Sequence, residues 1–185
     1  MFKKACFLIL FSVFFSSCRI EGSFQGLYGY YKITKRSHPE LFYQGIGSGL
    51  CEVKQNGNSK IAVINGLQLR ECIEKCDKSI VYIWSPNCHG RFCYSLDALQ
   101  RQCDSKGIEL FVVAEYYDAE KMGFNYIIEK PVFGIDTEYY KSSKTSKYCS
   151  GFIYDLTGRK DVYGKLVEFR NGSYLKSYSE MDSIQ

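Results

Sequence analysis

The residues with the most chemistry to offer in this 185-residue chain are its nine cysteines. No two of them are spaced CxxC, and the two histidines, His38 and His89, make no short-spaced ligand pattern with them. A zinc site needs such pairs, so neither a metal nor any other cofactor is expected. Thiol chemistry remains, and its best candidate is the run Cys88-His89-Gly90-Arg91-Phe92-Cys93. The reactive form of cysteine is the thiolate, which a helix N-terminus and nearby positive charge stabilise. Cys88 stands between an apolar run and a helical stripe, which places it at a loop-to-helix junction with His89 and Arg91 as modulators. It reads equally as an attacking thiolate or as an exposed, idle residue. Cys93 shares a stripe with Leu96 and Leu99, and reads as a resolving thiol or as a buried, inert one. Inside a regular helix the two Cα atoms would lie ~8.6 Å apart, beyond the roughly 7 Å a disulfide tolerates. The pair can close only if the helix starts after Gly90.

The elements that must position these residues follow from periodicity. Residues 80–84 (Ile-Val-Tyr-Ile-Trp) and 108–114 are continuous β-prone apolar runs, the pattern of strands buried on both faces. Residues 60–64 predict a short strand, Asn65-Gly66 a turn, and 67–75 a helix carrying Leu69, Cys72, Ile73 and Cys76. A helix is expected over 92–105, stopped by Gly107, with Cys103 on its apolar stripe. A short helical turn is expected at 118–123, and a further strand begins at 131–133. Within 138–156 the stripe Tyr148, Cys149, Phe152, Ile153, Leu156 favours helix over a rival strand at 150–155. Residues 165–169 and 174–179 flank Arg170-Asn171-Gly172-Ser173, a strong hairpin signal. Helices alternate with strands until an antiparallel hairpin closes the sheet, which describes an α/β domain with a mixed sheet. Cys72 and Cys76 lie about 6.2 Å apart at Cα on one helix face with parallel Cβ directions, so no bond is expected between them. Cys103 and Cys149 read as core, and Cys51 has no expected partner.

The N-terminus has its own composition. Met1-Phe2-Lys3-Lys4 is basic, residues 5–15 are apolar apart from Ser12, and Ser16-Ser17 precede Cys18. Eleven residues fall short of the roughly 20 that span a bilayer as a helix. Phe15-Ser16-Ser17-Cys18 resembles a bacterial lipobox, which implies cleavage before Cys18 and lipidation there. On that reading residues 1–17 are a signal peptide and 18–58 a lipid-anchored tether with irregular structure. Residues 59–185 form the domain, in the cell envelope and facing the periplasm or exterior. Loss of Lys3 and Lys4 takes the formal charge from +4 to +2, far from a nucleic-acid footprint. The seven cysteines left after Cys6 and Cys18 are an odd number, so at least one thiol is free or pairs between molecules.

The strand–Trp84–Cys88–helix join and Phe169-Arg170-Asn171-Gly172 in the late hairpin resemble the thioredoxin-fold proteins, in particular membrane-tethered thioredoxin-like proteins of the bacterial envelope. The resemblance covers roughly residues 60–179 and implies a three-layer sandwich. It also implies thiol–disulfide exchange through Cys88. Two departures stand out: Arg91 occupies the position of the family's second cysteine, and no proline precedes the hairpin, where the position falls near Gly164 or, on the rival strand register, on Cys149. Two classes of function follow. One is a thiol–disulfide oxidoreductase acting on another envelope protein or its disulfide. The other is a redox-inactive binding module tethered to the membrane.

Overall fold

The computed structural model of the protein describes residues 26–43, 49–55, 60–90 and 93–181. Two strands form its centre. β2 (Lys78–Trp84) and β3 (Glu109–Ala114) run parallel, with Ile80 opposite Leu110 and Tyr82 opposite Val112. Both are apolar at nearly every position because helices cover both faces of the sheet. Ile80, Tyr82 and Trp84 point to one face, and Val81 and Ile83 to the other, as the two-residue period of a strand requires.

Four more strands complete the sheet: β1 (Ala62–Ile64), β4 (Phe133–Ile135), β5 (Leu166–Arg170) and β6 (Ser173–Tyr178). The order is β1-β4-β3-β2-β5-β6. The first four are parallel, while β5 is antiparallel to β2 and β6 to β5. The architecture is therefore mixed α/β with Ile80–Trp84 in an interior strand, as expected. The strand expected to begin at 131–133 is β4, and it inserts between β1 and β3.

Among the described residues five α-helices pack on the sheet. α1 (Tyr31–Ser37), α3 (Leu96–Asp104) and α4 (Ala119–Met122) cover the face of Tyr82, where Tyr31, Leu99 and Met122 join the core. α2 (Gly66–Ile73) and α5 (Thr145–Thr157) cover the face of Val81 with Leu69, Ile73, Tyr148 and Phe152. The stripe over 148–156 is thus helical, and Gly158 ends α5 in the left-handed conformation (φ 73°). Among the described residues no helix is long and apolar enough to cross a membrane.

Three local expectations are corrected. Asn65-Gly66 is not a turn: Asn65 accepts a bond from the Gln68 N–H at 2.9 Å, and the Gln68 side chain accepts from the Asn65 N–H at 3.0 Å. This capping box starts α2. Gly66 is needed for contact, since a Cβ there would lie 2.4 Å from the Phe152 carbonyl of α5. The helix expected from residue 92 begins only at Leu96. The segment expected as tether and irregular structure carries α1 and sends Tyr31 and Phe42 into the core, at 4% and 3% exposure. The hairpin stands as expected, with Asn171 and Gly172 at φ 48° and 75°, the signs of a type I′ turn.

Candidate functional site at the carboxyl pole of the sheet

In open α/β sheets ligands and chemistry gather where parallel strands end. Here the exits of β2 and β3 meet the start of antiparallel β5. Ser85 and Pro86 are buried as they leave β2, and the Cys88 N–H bonds the Ser85 carbonyl at 3.0 Å, closing a turn. The turn is fastened to the exit of β3. The Asn87 N–H donates to the Tyr116 hydroxyl at 2.9 Å, and the Asn87 amide donates to Asp118 at 2.7 Å. Burial raises the Tyr116 phenol above its usual range, so it stays a neutral hydroxyl that accepts this bond.

Across the loop, the Cys93 N–H bonds the Gly90 carbonyl at 3.0 Å. The Tyr94 N–H then reaches the Tyr82 hydroxyl at 3.3 Å, and the Tyr94 hydroxyl donates to the Ser179 carbonyl at 2.7 Å. The loop between these two fastenings is closed by a Cys88–Cys93 disulfide, with Cα atoms 5.6 Å apart. This meets the stated condition, since the helix begins after the bond and not within it.

The same start overturns two expectations. The unpaired N–H groups of the first turn of α3 begin beyond Cys93, so Cys88 does not sit at a helix N-terminus. Cys93 is not carried on the apolar stripe; it is part-buried in the loop before α3. Of the two modulators, His89 is exposed and its Nδ1–H donates to the Asn87 carbonyl at 2.9 Å. Arg91 lies outside the described residues, as does Cys18.

At the same strand ends lies a polar cluster that sequence reasoning missed. Lys165 Nζ donates to Ser85 Oγ, and Ser85 Oγ donates to Glu115 Oε2. Lys165 and Glu115 are 3.7 Å apart, each about one-third exposed. A hydroxyl set between an ammonium and a carboxylate can relay a proton. The arrangement is held by the backbone: the Glu115 N–H bonds the Trp84 carbonyl at 2.7 Å, and the Ile83 N–H bonds the Lys165 carbonyl at 2.8 Å. Gly164 sets the entry to β5 at φ 98°, and a Cβ there would come within 2.6 Å of the Tyr178 carbonyl. The available signal was position: Ser85 and Glu115 each follow a continuous buried run directly, and Lys165 opens one.

The remaining cysteines sort by environment. Cys51 does not stand alone. It is bonded to Cys72 with Cα atoms 5.0 Å apart. Cys76 stays free beside them, its thiol donating to the Cys72 carbonyl at 3.4 Å. Cys103 and Cys149 are also free. Cys149 lies against the Glu115 carbonyl at 3.8 Å. Burial raises all three thiols; Glu115 adds to the rise at Cys149 while Lys165 opposes it.

Cys103 is fully buried and its thiol is pushed up to about 12. In native protein it should resist iodoacetamide at pH 8, and unfolding in urea should expose it to full labelling. Between the usual thiol value of 9.0 and about 12 the unfolded chain releases this proton while the folded one keeps it. Folding stability should therefore fall as pH rises through that window. Rapid native labelling of Cys103, read by peptide mapping, would contradict its burial.

Among the described residues no group of three His, Cys, Asp or Glu side chains could hold a metal ion. What the pole does present is a half-buried disulfide and a cation–hydroxyl–carboxylate cluster, both fixed to the ends of the central strands. No family model, curated protein or solved structure matches the chain.

Proposed function

We propose that the protein is an envelope lipoprotein, anchored through a lipidated Cys18, whose thioredoxin-like domain exchanges thiols and disulfides through Cys88 with Cys93 as the resolving thiol. The observation that supports this best is the Cys88–Cys93 bond in a short loop at the exit of a central strand. In the reduced form the Cys88 thiolate attacks one sulfur of a substrate disulfide, and the other sulfur leaves as a thiolate and takes a proton. The Cys93 thiolate then attacks the Cys88 sulfur, releases the second substrate thiol and restores the internal bond. The substrate gains two electrons and two protons; the dithiol gives them up. The substrate class is a disulfide of another envelope protein.

One observation favours the second reading, a redox-inactive binding module on the same tether. With α3 starting at Leu96, no helix dipole acidifies Cys88. The two readings separate in a disulfide-reduction assay on wild type, Cys88→Ser and Cys93→Ser, with thiol alkylation followed against pH. Exchange predicts slow wild-type turnover, a loss on the order of a hundredfold or more in both variants, and a trapped mixed disulfide on Cys88 in Cys93→Ser. No wild-type turnover, or turnover that survives both substitutions, leaves the binding module.

A further inference from the structure

Residues 26–30 lie across the same pole as the disulfide. The Gly29 N–H donates to the Ser143 carbonyl and the Gly29 carbonyl accepts from the Tyr117 N–H, each at 2.8 Å. This segment therefore straps the exit of β3 to the loop that follows β4. A Cβ on Gly26 would lie 3.7 Å from the ring of Tyr116. That is the tyrosine whose hydroxyl holds Asn87, the residue before Cys88.

The strap and α1 form one wall of a groove of about 750 Å³, with residues 137–143 as the other. Its rim is apolar at the tips and basic around them. Leu27, Tyr28 and Ile33 are 49%, 45% and 61% exposed, an unusual cost for a soluble surface. Lys32, Lys141 and Lys144 stand exposed beside them, with Glu138 paired to Lys32 at 3.5 Å. Exposed aliphatic and tyrosyl groups ringed by lysines match the acyl–headgroup boundary of an anionic bilayer.

Chain length supplies the second argument, and it rests on the proposed lipidation of Cys18. Gly26 follows Cys18 by eight positions. Even fully extended they reach about 28 Å, little more than the roughly 23 Å length of a seven-residue strand such as β2. An anchor that short keeps Gly26, and the pole it lies on, close to the membrane.

We infer that the Leu27–Tyr28–Ile33 face with its lysine rim is a lipid-contact surface that turns the carboxyl pole, with Cys88–Cys93, toward the bilayer. The reachable substrates are then disulfides held near the membrane surface.

The test uses the full chain purified from cell membranes and reconstituted in phosphatidylethanolamine–phosphatidylglycerol vesicles. A photoreactive side chain replaces Ile33 in one variant and Ser173 in another. Ser173 is exposed beside the hairpin turn, at the opposite pole of the sheet. Intact disulfides and an unchanged circular dichroism spectrum serve as the folding control. Lipid adducts at Ile33 should exceed those at Ser173 at least tenfold, and Lys32→Glu with Lys141→Glu should reduce them severalfold. Equal labelling at the two positions, or more at Ser173, overturns the surface. Mass spectrometry of residue 18 decides the anchor separately. An unacylated Cys18 with strong Ile33 labelling would remove the anchor and keep the surface; an acylated Cys18 with equal labelling would do the reverse.

Discussion

Phe152→Ala should destabilise the protein by about 3–5 kcal/mol, the range for emptying a fully buried aromatic site. Phe152 has no exposed surface and packs between α5 and the sheet. The cost belongs at the upper end because the site cannot collapse. α5 already touches α2 closely enough that Gly66 admits no Cβ, so the helix has no room to settle into the vacated space. Urea unfolding followed by circular dichroism should show a large drop in midpoint with an unchanged slope. A loss below about 1 kcal/mol would mean that 145–157 does not pack as a helix on this face, and would revive the strand reading of 150–155.

Replacing Cys51 and Cys72 together by alanine should cost about 3 kcal/mol from the loop-closure entropy of the unfolded chain alone. The bridge spans a sequence separation of 21 and ties the segment before β1 to the last turn of α2. The Cys88–Cys93 bond spans only 5 and should stabilise by about 2 kcal/mol on the same relation. The two bonds thus divide by role: the longer one holds the fold, while the shorter one can open at lower cost to stability. Urea midpoints of the Cys51→Ala/Cys72→Ala and Cys88→Ser/Cys93→Ser proteins measure both. A larger loss from the Cys88–Cys93 pair would reverse the assignment.

Much of the fold was legible because its signals are local. The run at 80–84 could be read as a buried strand since both sheet faces impose the same demand on every position. Asn171-Gly172 could be read as a hairpin because few dipeptides accept two positive φ values. The stripe over 148–156 outweighed a β-prone triplet because five residues agree on the helical period. Asn65-Gly66 has the composition of a turn, and that composition masks the local Asn65–Gln68 capping box that opens a helix there. What else failed depended on partners distant in the chain. The start of α3 falls four residues after the expected one, since the sequence of 93–95 has no feature excluding helix, and only the disulfide and the Tyr94 bonds hold these residues out of it. Cys51 and Cys72 offered no pairing signal, as spacing alone does not choose among connectivities. Ser85, Glu115 and Lys165 are ordinary residues, 30 and 80 positions apart in their hydrogen bonds, and only strand order brings them together.

The strap over residues 26–30 has a consequence for the order of assembly. It is the first part of the described chain to leave the ribosome, yet both of its backbone partners, Tyr117 and Ser143, lie on the order of 100 residues downstream. The strap must wait while the central strands and their helices form, and then close over a structure already made. Contacts completed last and held by few buried side chains are the first to open. The amide of Gly29 should therefore exchange with solvent far sooner than those of β2 and β3. The carboxyl pole of the domain would then breathe while its sheet stays shut.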